Sequence, residues 1–158
     1  MLLAFGMAQA QTDIFYDSFD ENNSTGGNDG QWSGSIASAG VKTDNKDWSF
    51  ATAYGAKQCI RLGSTKNAGS ATTPALSLLN GDATLTFKAG SWAGDNTTLT
   101  LSISGGGSLS QTSFALKNSE FETYTVDITG GTSETTIKFE GVPQFRRCRL
   151  FAVAVGLS

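Results

Sequence analysis

Histidine is absent from the 158 residues. That gap alone excludes a Ser–His–Asp triad, a Cys–His pair and His-ligated zinc. Cysteine is nearly absent: Cys59 and Cys148 are the only two. They form no C-x-x-C, which excludes a redox motif or zinc knuckle. Two prolines and 19 glycines without a fixed period exclude collagen-like or Pro-rich material. Charge is sparse, at 16% of residues, with 11 basic against 14 acidic side chains. A net charge of −3 draws the molecule to neither nucleic acid nor anionic lipid. No apolar run approaches the roughly 20 residues that span a bilayer.

What the chain does have is apolar bulk and hydroxyl groups. Ten Phe and three Trp supply enough apolar surface for a core, and 18 Ser with 19 Thr make nearly a quarter of the sequence. The hydrophobic period is two from residue 13 onward, which predicts strands. They are expected over 13–19, 47–54, 57–63, 83–89, 97–103, 108–116, 122–129, 135–140 and 148–155, with polar loops at 20–34 and 64–73. Gly105-Gly106-Gly107 and Gly130-Gly131 lack the Lys and the helix of a phosphate loop and read as hairpin turns. Turns every 8–12 residues and no helical segment predict an all-β, antiparallel two-sheet β-sandwich of jelly-roll type. Its expected core is Phe50, Ile60, Leu62, Leu85, Phe87, Leu99, Leu101, Ile103, Val126, Ile128, Ile137 and Phe139.

Residues 1–10 form a short apolar run ending in Ala8-Gln9-Ala10, the small-x-small pattern that a signal peptidase accepts. They are read as a signal-peptide remnant, leaving 11–158 as one domain, secreted or held at a cell surface. In that compartment Cys59 and Cys148 could pair, but two buried thiols is the plainer reading.

Three segments carry a family resemblance: Phe15-Tyr16-Asp17-Ser18-Phe19-Asp20 with Thr25 through Trp32, Ile60-Arg61-Leu62-Gly63 with Ala68 through Pro74, and Tyr124 through Gly130. Together they resemble secreted jelly-roll modules of Bacteroidetes, which are carbohydrate-binding-like β-sandwiches. The resemblance implies a non-catalytic module with a polysaccharide or glycan partner; the alternative is a structural or adhesive sandwich with no glycan ligand. One departure is plain. Such modules tend to close on an aromatic–Leu–Asp–Asp–Val strand, whereas this chain ends in Phe151-Ala152-Val153-Ala154-Val155. Nearly all of that strand is apolar. At a sheet edge it would expose an apolar patch and promote self-association. Alternation predicts Phe151, Val153 and Val155 on one face and Leu150, Ala152 and Ala154 on the other.

Candidate binding residues follow from chemistry. Aromatic rings stack on the C–H face of a pyranose while amides and carboxylates take its hydroxyls. Trp32 and Trp92 sit in Gly-flanked loops and are expected at the surface, with Asn28 and Asp29 as polar partners of the ligand. Trp48 is expected in the core. Asp17 and Asp20 offer hard oxygens suited to a structural Ca²⁺, as the resembled modules often carry near the first strand; a solvated turn is the competing reading. No other cofactor is expected. Glu120 with Glu122, or Asp17 with Asp127, could form a hydrolytic carboxylate pair, but 14 acids produce such pairs by chance. Lys42, Lys46, Lys57, Lys66 and Arg61 are scattered and read as solubilising charge. Asn22, Asn23 and Asn96 fit N-x-Ser/Thr sequons.

Overall fold

The computed structural model of the chain describes residues 11–34, 39–95, 98–141 and 148–157. Among them lie twelve strands: β1 Asp13–Asp17, β2 Ser49–Ala51, β3 Ala53–Gly55, β4 Ile60–Leu62, β5 Ser70–Thr72, β6 Gly81–Ser91, β7 Thr98–Ser104, β8 Ser108–Leu109, β9 Ser113–Ala115, β10 Glu122–Gly131, β11 Thr136–Gly141 and β12 Cys148–Leu157. The seven-stranded sheet runs β3-β4-β12-β6-β10-β8, with β1 also paired to β12; the five-stranded sheet runs β2-β5-β11-β7-β9. All the strand pairings are antiparallel. This is the expected all-β two-sheet jelly roll. No helix among the described residues is long and apolar enough to cross a membrane.

Alternation builds the core. In β6, Ala83, Leu85, Phe87 and Ala89 turn inward, while the exposed Lys88 lies on the opposite face. The other sheet answers with Leu99, Leu101, Ile137 and Phe139. Phe87 meets Phe139 edge-on at 5.2 Å and Phe114 at 5.4 Å, so the two layers lock through rings in the favoured T-shaped geometry. Of the expected core residues, all are buried except Phe50 and Ile103, which pack half-buried against the cluster.

Several expectations need correction. The run 47–54 is not one strand: Thr52 adopts φ 48°, and the chain passes from β2 in the smaller sheet to β3 in the larger. Trp48 and Phe50 therefore stack, half-buried, against the core while Tyr54 belongs to a separate cluster. The run 108–116 also divides, with β8 pairing β10 and β9 pairing β7. β5 lies inside a stretch expected to be loop.

The closing strand differs most. β12 is not at an edge: β6 pairs along one side of it, and β4 and β1 pair along the other. Ala152, at φ 47°, sits at a bulge between Phe151 and Val153. The extra residue flips the alternation, so Leu150 shares the buried face with Val153 and Val155. An apolar closing strand is thus what an interior position requires, and the reasoning from edge exposure to self-association fails. The opening ten residues, Asn96 and Arg146-Arg147 lie outside the described residues.

Candidate functional site

The loop after β1 is fixed to the β3–β4 hairpin. Ser24 N–H donates to the Ala56 carbonyl and Gln58 N–H to that of Asn22. Asp29 closes its own turn: one carboxylate oxygen accepts from Gly26 N–H at 3.0 Å and the other from Gln31 N–H at 2.9 Å. Exposed Asn28 donates its side-chain amide to Gln58 Oε1 at 3.2 Å. The loop therefore delivers Trp32 in a set place.

That place is the outer face of the larger sheet. Tyr54 and Arg61 stand opposite each other on β3 and β4, and Gly90 of β6 lies in the same row across β12. Ile60, Leu62 and Ala89 alternate with this row and are buried in the core, so the row itself faces outward. Trp32 lies against it at Gly90. A Cβ at Gly90 would come within 2.8 Å of Trp32 Cη2 and would collide with the Glu120 carbonyl, so glycine is what lets the indole approach. Half-buried Trp32 meets Phe121 edge-on at 4.8 Å. The Arg61 guanidinium lies 4.5 Å from the centre of the Tyr54 ring and 5.7 Å from that of Trp92. With Arg61 only 8% exposed, these cation–π contacts are in part desolvated and correspondingly strong.

Trp92 departs from expectation. It is 2% exposed and packs with Ala56 and Cys59 under Tyr54 and Phe121. Its Gly-flanked loop is tied down by Asn118, whose amide donates to the Trp92 and Asp95 carbonyls at 3.0 Å each. Ser119 N–H adds a bond to the Ser91 carbonyl. Trp92 supports the shelf from beneath and offers no face to a ligand.

The acids expected to hold a metal are otherwise engaged. Asp17 is fully buried, and both its oxygens accept hydrogen bonds, from backbone N–H groups and from Trp48 Nε1–H at 2.8 Å. Asp20 is exposed. Among the described residues, no group of three or more His, Cys, Asp or Glu is placed to hold a metal ion. The arrangement gives the calcium expectation no support. Glu120 and Glu122 both approach Lys117, at 3.9 and 3.3 Å, and Asp17 and Asp127 are split between the core and the surface. Tyr124 lies near this group; burial first, then the Glu122 carboxylate, pushes its hydroxyl up to about 12.

Arg61, Phe121 and Gly90 were not singled out as binding residues. A signal existed for two of them. Arg61 is a lone charge between Ile60 and Leu62, and Phe121 a lone aromatic between Glu120 and Glu122.

No sequence family and no curated protein matches the chain. Solved structures do. The CBM22-1 xylan-binding domain from Paenibacillus barcinonensis superposes with a TM-score of 0.59, at 10% identity, over 96% of this chain and 97% of that one. The module TmCBM61, solved with β-1,4-galactotriose, gives 0.55 at 7% identity over 89% and 99%. The N-terminal cellulose-binding domain of a Cellulomonas fimi β-1,4-glucanase gives 0.52 at 15% identity over 70% and 88%. At these identities the likeness establishes a shared fold, the β-sandwich of carbohydrate-binding modules.

Proposed function

We propose that the chain is an exported, non-catalytic carbohydrate-binding-like module that holds a glycan against Trp32. The observation that carries this reading is the seating of Trp32. A half-buried indole rests on Gly90 and is braced by Phe121, on a sandwich shared with cellulose- and xylan-binding domains. Loop closure has already ordered the ring, so stacking on the C–H face of a sugar immobilises little more of the protein. Asn28 keeps one amide N–H and its carbonyl beyond the bond to Gln58. Those groups flank the indole along the loop and would take sugar hydroxyls. Export rests on the Ala8-Gln9-Ala10 signature and on the resemblance to secreted modules.

Affinity electrophoresis in gels containing xylan, soluble cellulose derivatives or galactan tests the reading. At least one polymer should retard the wild type, and Trp32→Ala should abolish the retardation without loss of fold. Retardation by no polymer would leave the structural or adhesive alternative, which the burial of Trp92 already favours at that residue.

A further inference from the structure

The same loop and hairpin also form a cavity of about 340 Å³ that the Trp32 shelf does not use. Asn22, Asn23 and Ser24 line it from the loop, Gly40 and Lys42 from the segment before β2, and Gly55 from β3. Its size is at the small end of ligand pockets, which run to about 300–1,000 Å³.

The cavity is held open by fixed groups. Asn22, 2% exposed, donates its amide to the Phe19 and Lys42 carbonyls at 2.9 and 2.8 Å and accepts from Lys42 N–H at 2.9 Å. A Cβ on Gly55 would come within 2.7 Å of Asn22 Oδ1 and 2.8 Å of the Gly40 carbonyl, so glycine keeps this wall back. The charge is one-sided. Lys42 is in the lining, and the Lys57 ammonium donates to the side chain of lining residue Asn23 at 2.8 Å. Among the described residues no carboxylate lines the cavity, on a chain whose net charge is −3. One lining ammonium, a second ammonium bonded to the lining Asn23 side chain, and the Ser24 hydroxyl match a small hydroxylated anion. Ammonium groups bind a carboxylate through charge-assisted hydrogen bonds, while the Asn23 amide and the hydroxyl serve sugar hydroxyls.

We propose that this cavity receives the carboxylate-bearing ring of an acidic glycan, a uronate. The inference rests on the glycan-binding reading, which is what makes the anion a sugar, but it uses residues separate from Trp32.

Proton–nitrogen correlation spectra of the full chain, titrated separately with methyl glucuronoside, methyl glucoside and acetate, test it. The glucuronoside should move the backbone signals of Asn22, Asn23, Gly40 and Gly55. The glucoside and acetate should each bind about tenfold more weakly or worse, and Lys42→Ala or Lys57→Ala should weaken the glucuronoside about tenfold. Lys42 is exposed and Lys57 half-buried, and the same spectra verify that the variants fold. Absence of shifts at those four residues would overturn the proposal. So would equal affinity for the glucoside, or equal affinity for acetate, which would mark a bare anion site. Trp32→Ala should abolish polymer retardation and leave the glucuronoside shifts intact. Cavity shifts without polymer retardation in the wild type would therefore be a failure of the shelf and not of the cavity.

Discussion

Asp17→Ala should destabilise the sandwich by about 3–5 kcal/mol. The carboxylate gathers five donors: Phe19 N–H at 3.3 Å and Asp44 N–H at 3.1 Å on one oxygen, and Asn45 N–H at 3.1 Å, Asn45 Nδ2 at 3.2 Å and Trp48 Nε1 at 2.8 Å on the other. A hydrogen bond to a charged acceptor contributes about 1.5–3 kcal/mol net, and the Phe19 bond is long. The donors at Asp44 and Asn45 are part-buried and could rehydrate, so the total falls well below the sum. Asp17→Asn keeps the shape but turns an NH₂ toward other N–H donors, and should cost about 2–3 kcal/mol. Either loss is a large part of the roughly 5–15 kcal/mol that holds a domain together. Urea unfolding followed by tryptophan emission reads the loss, and hydrogen exchange at Asp44 and Asn45 locates it. A loss under about 1 kcal/mol for Asp17→Ala, or unchanged protection at Asn45, would refute the reasoning. Excess Ca²⁺ should leave the melting temperature of the wild type unchanged; a rise that disappears in Asp17→Ala would restore the metal reading.

Gly90→Ala should drive Trp32 off its seat, seen as a red-shifted emission component and loss of any polymer retardation; unchanged emission would show that the seat does not depend on the glycine. Ala152→Gly should raise stability by about 1 kcal/mol, because the bulge holds Ala152 at φ 47°, where alanine is strained; urea midpoints measure this, and a decrease would contradict it. Tyr124 is pushed up to about 12 in the fold, above the unfolded value of about 10. The folded state therefore favours the protonated hydroxyl. That stabilisation is complete below pH 10 and is lost as pH rises from 10 through 12. Tyr124→Phe should remove this part of the pH slope, and an unchanged slope would assign it to another group.

The long strands were legible because each carries its own signal. β6 and β10 alternate over many residues, and neither Leu85-Thr86-Phe87 nor Tyr124-Thr125-Val126 fits a helix period. β5 was not legible: Ser70-Ala71-Thr72 has one small apolar residue, and it is a strand because β2 and β11 flank it. The sheet changes at Thr52 and after Leu109 were hidden for the same reason, since alternation continues through a turn that redirects the chain. At β12, a single residue in the left-handed region reversed the expected faces. The site divided along similar lines. Trp32 and Trp92 have like surroundings in sequence, each within a Gly-flanked loop. What separates them is remote: Asn118 and Ser119 bind the loop over Trp92, and Gly90 opens a seat for Trp32.

The three tryptophans give the account its most direct test. Their indole N–H groups yield three distinct signals in a proton–nitrogen spectrum, each assignable by substituting one residue at a time. Titration with an oligosaccharide of a polymer that retards the protein should move the Trp32 signal progressively. The Trp48 signal, from an N–H bound to Asp17, and that of Trp92, buried beneath Tyr54 and Phe121, should stay within a small fraction of that shift. A titration that moves Trp48 or Trp92 while leaving Trp32 in place, or that moves none of the three at saturation, would contradict the claim that the glycan stacks on Trp32.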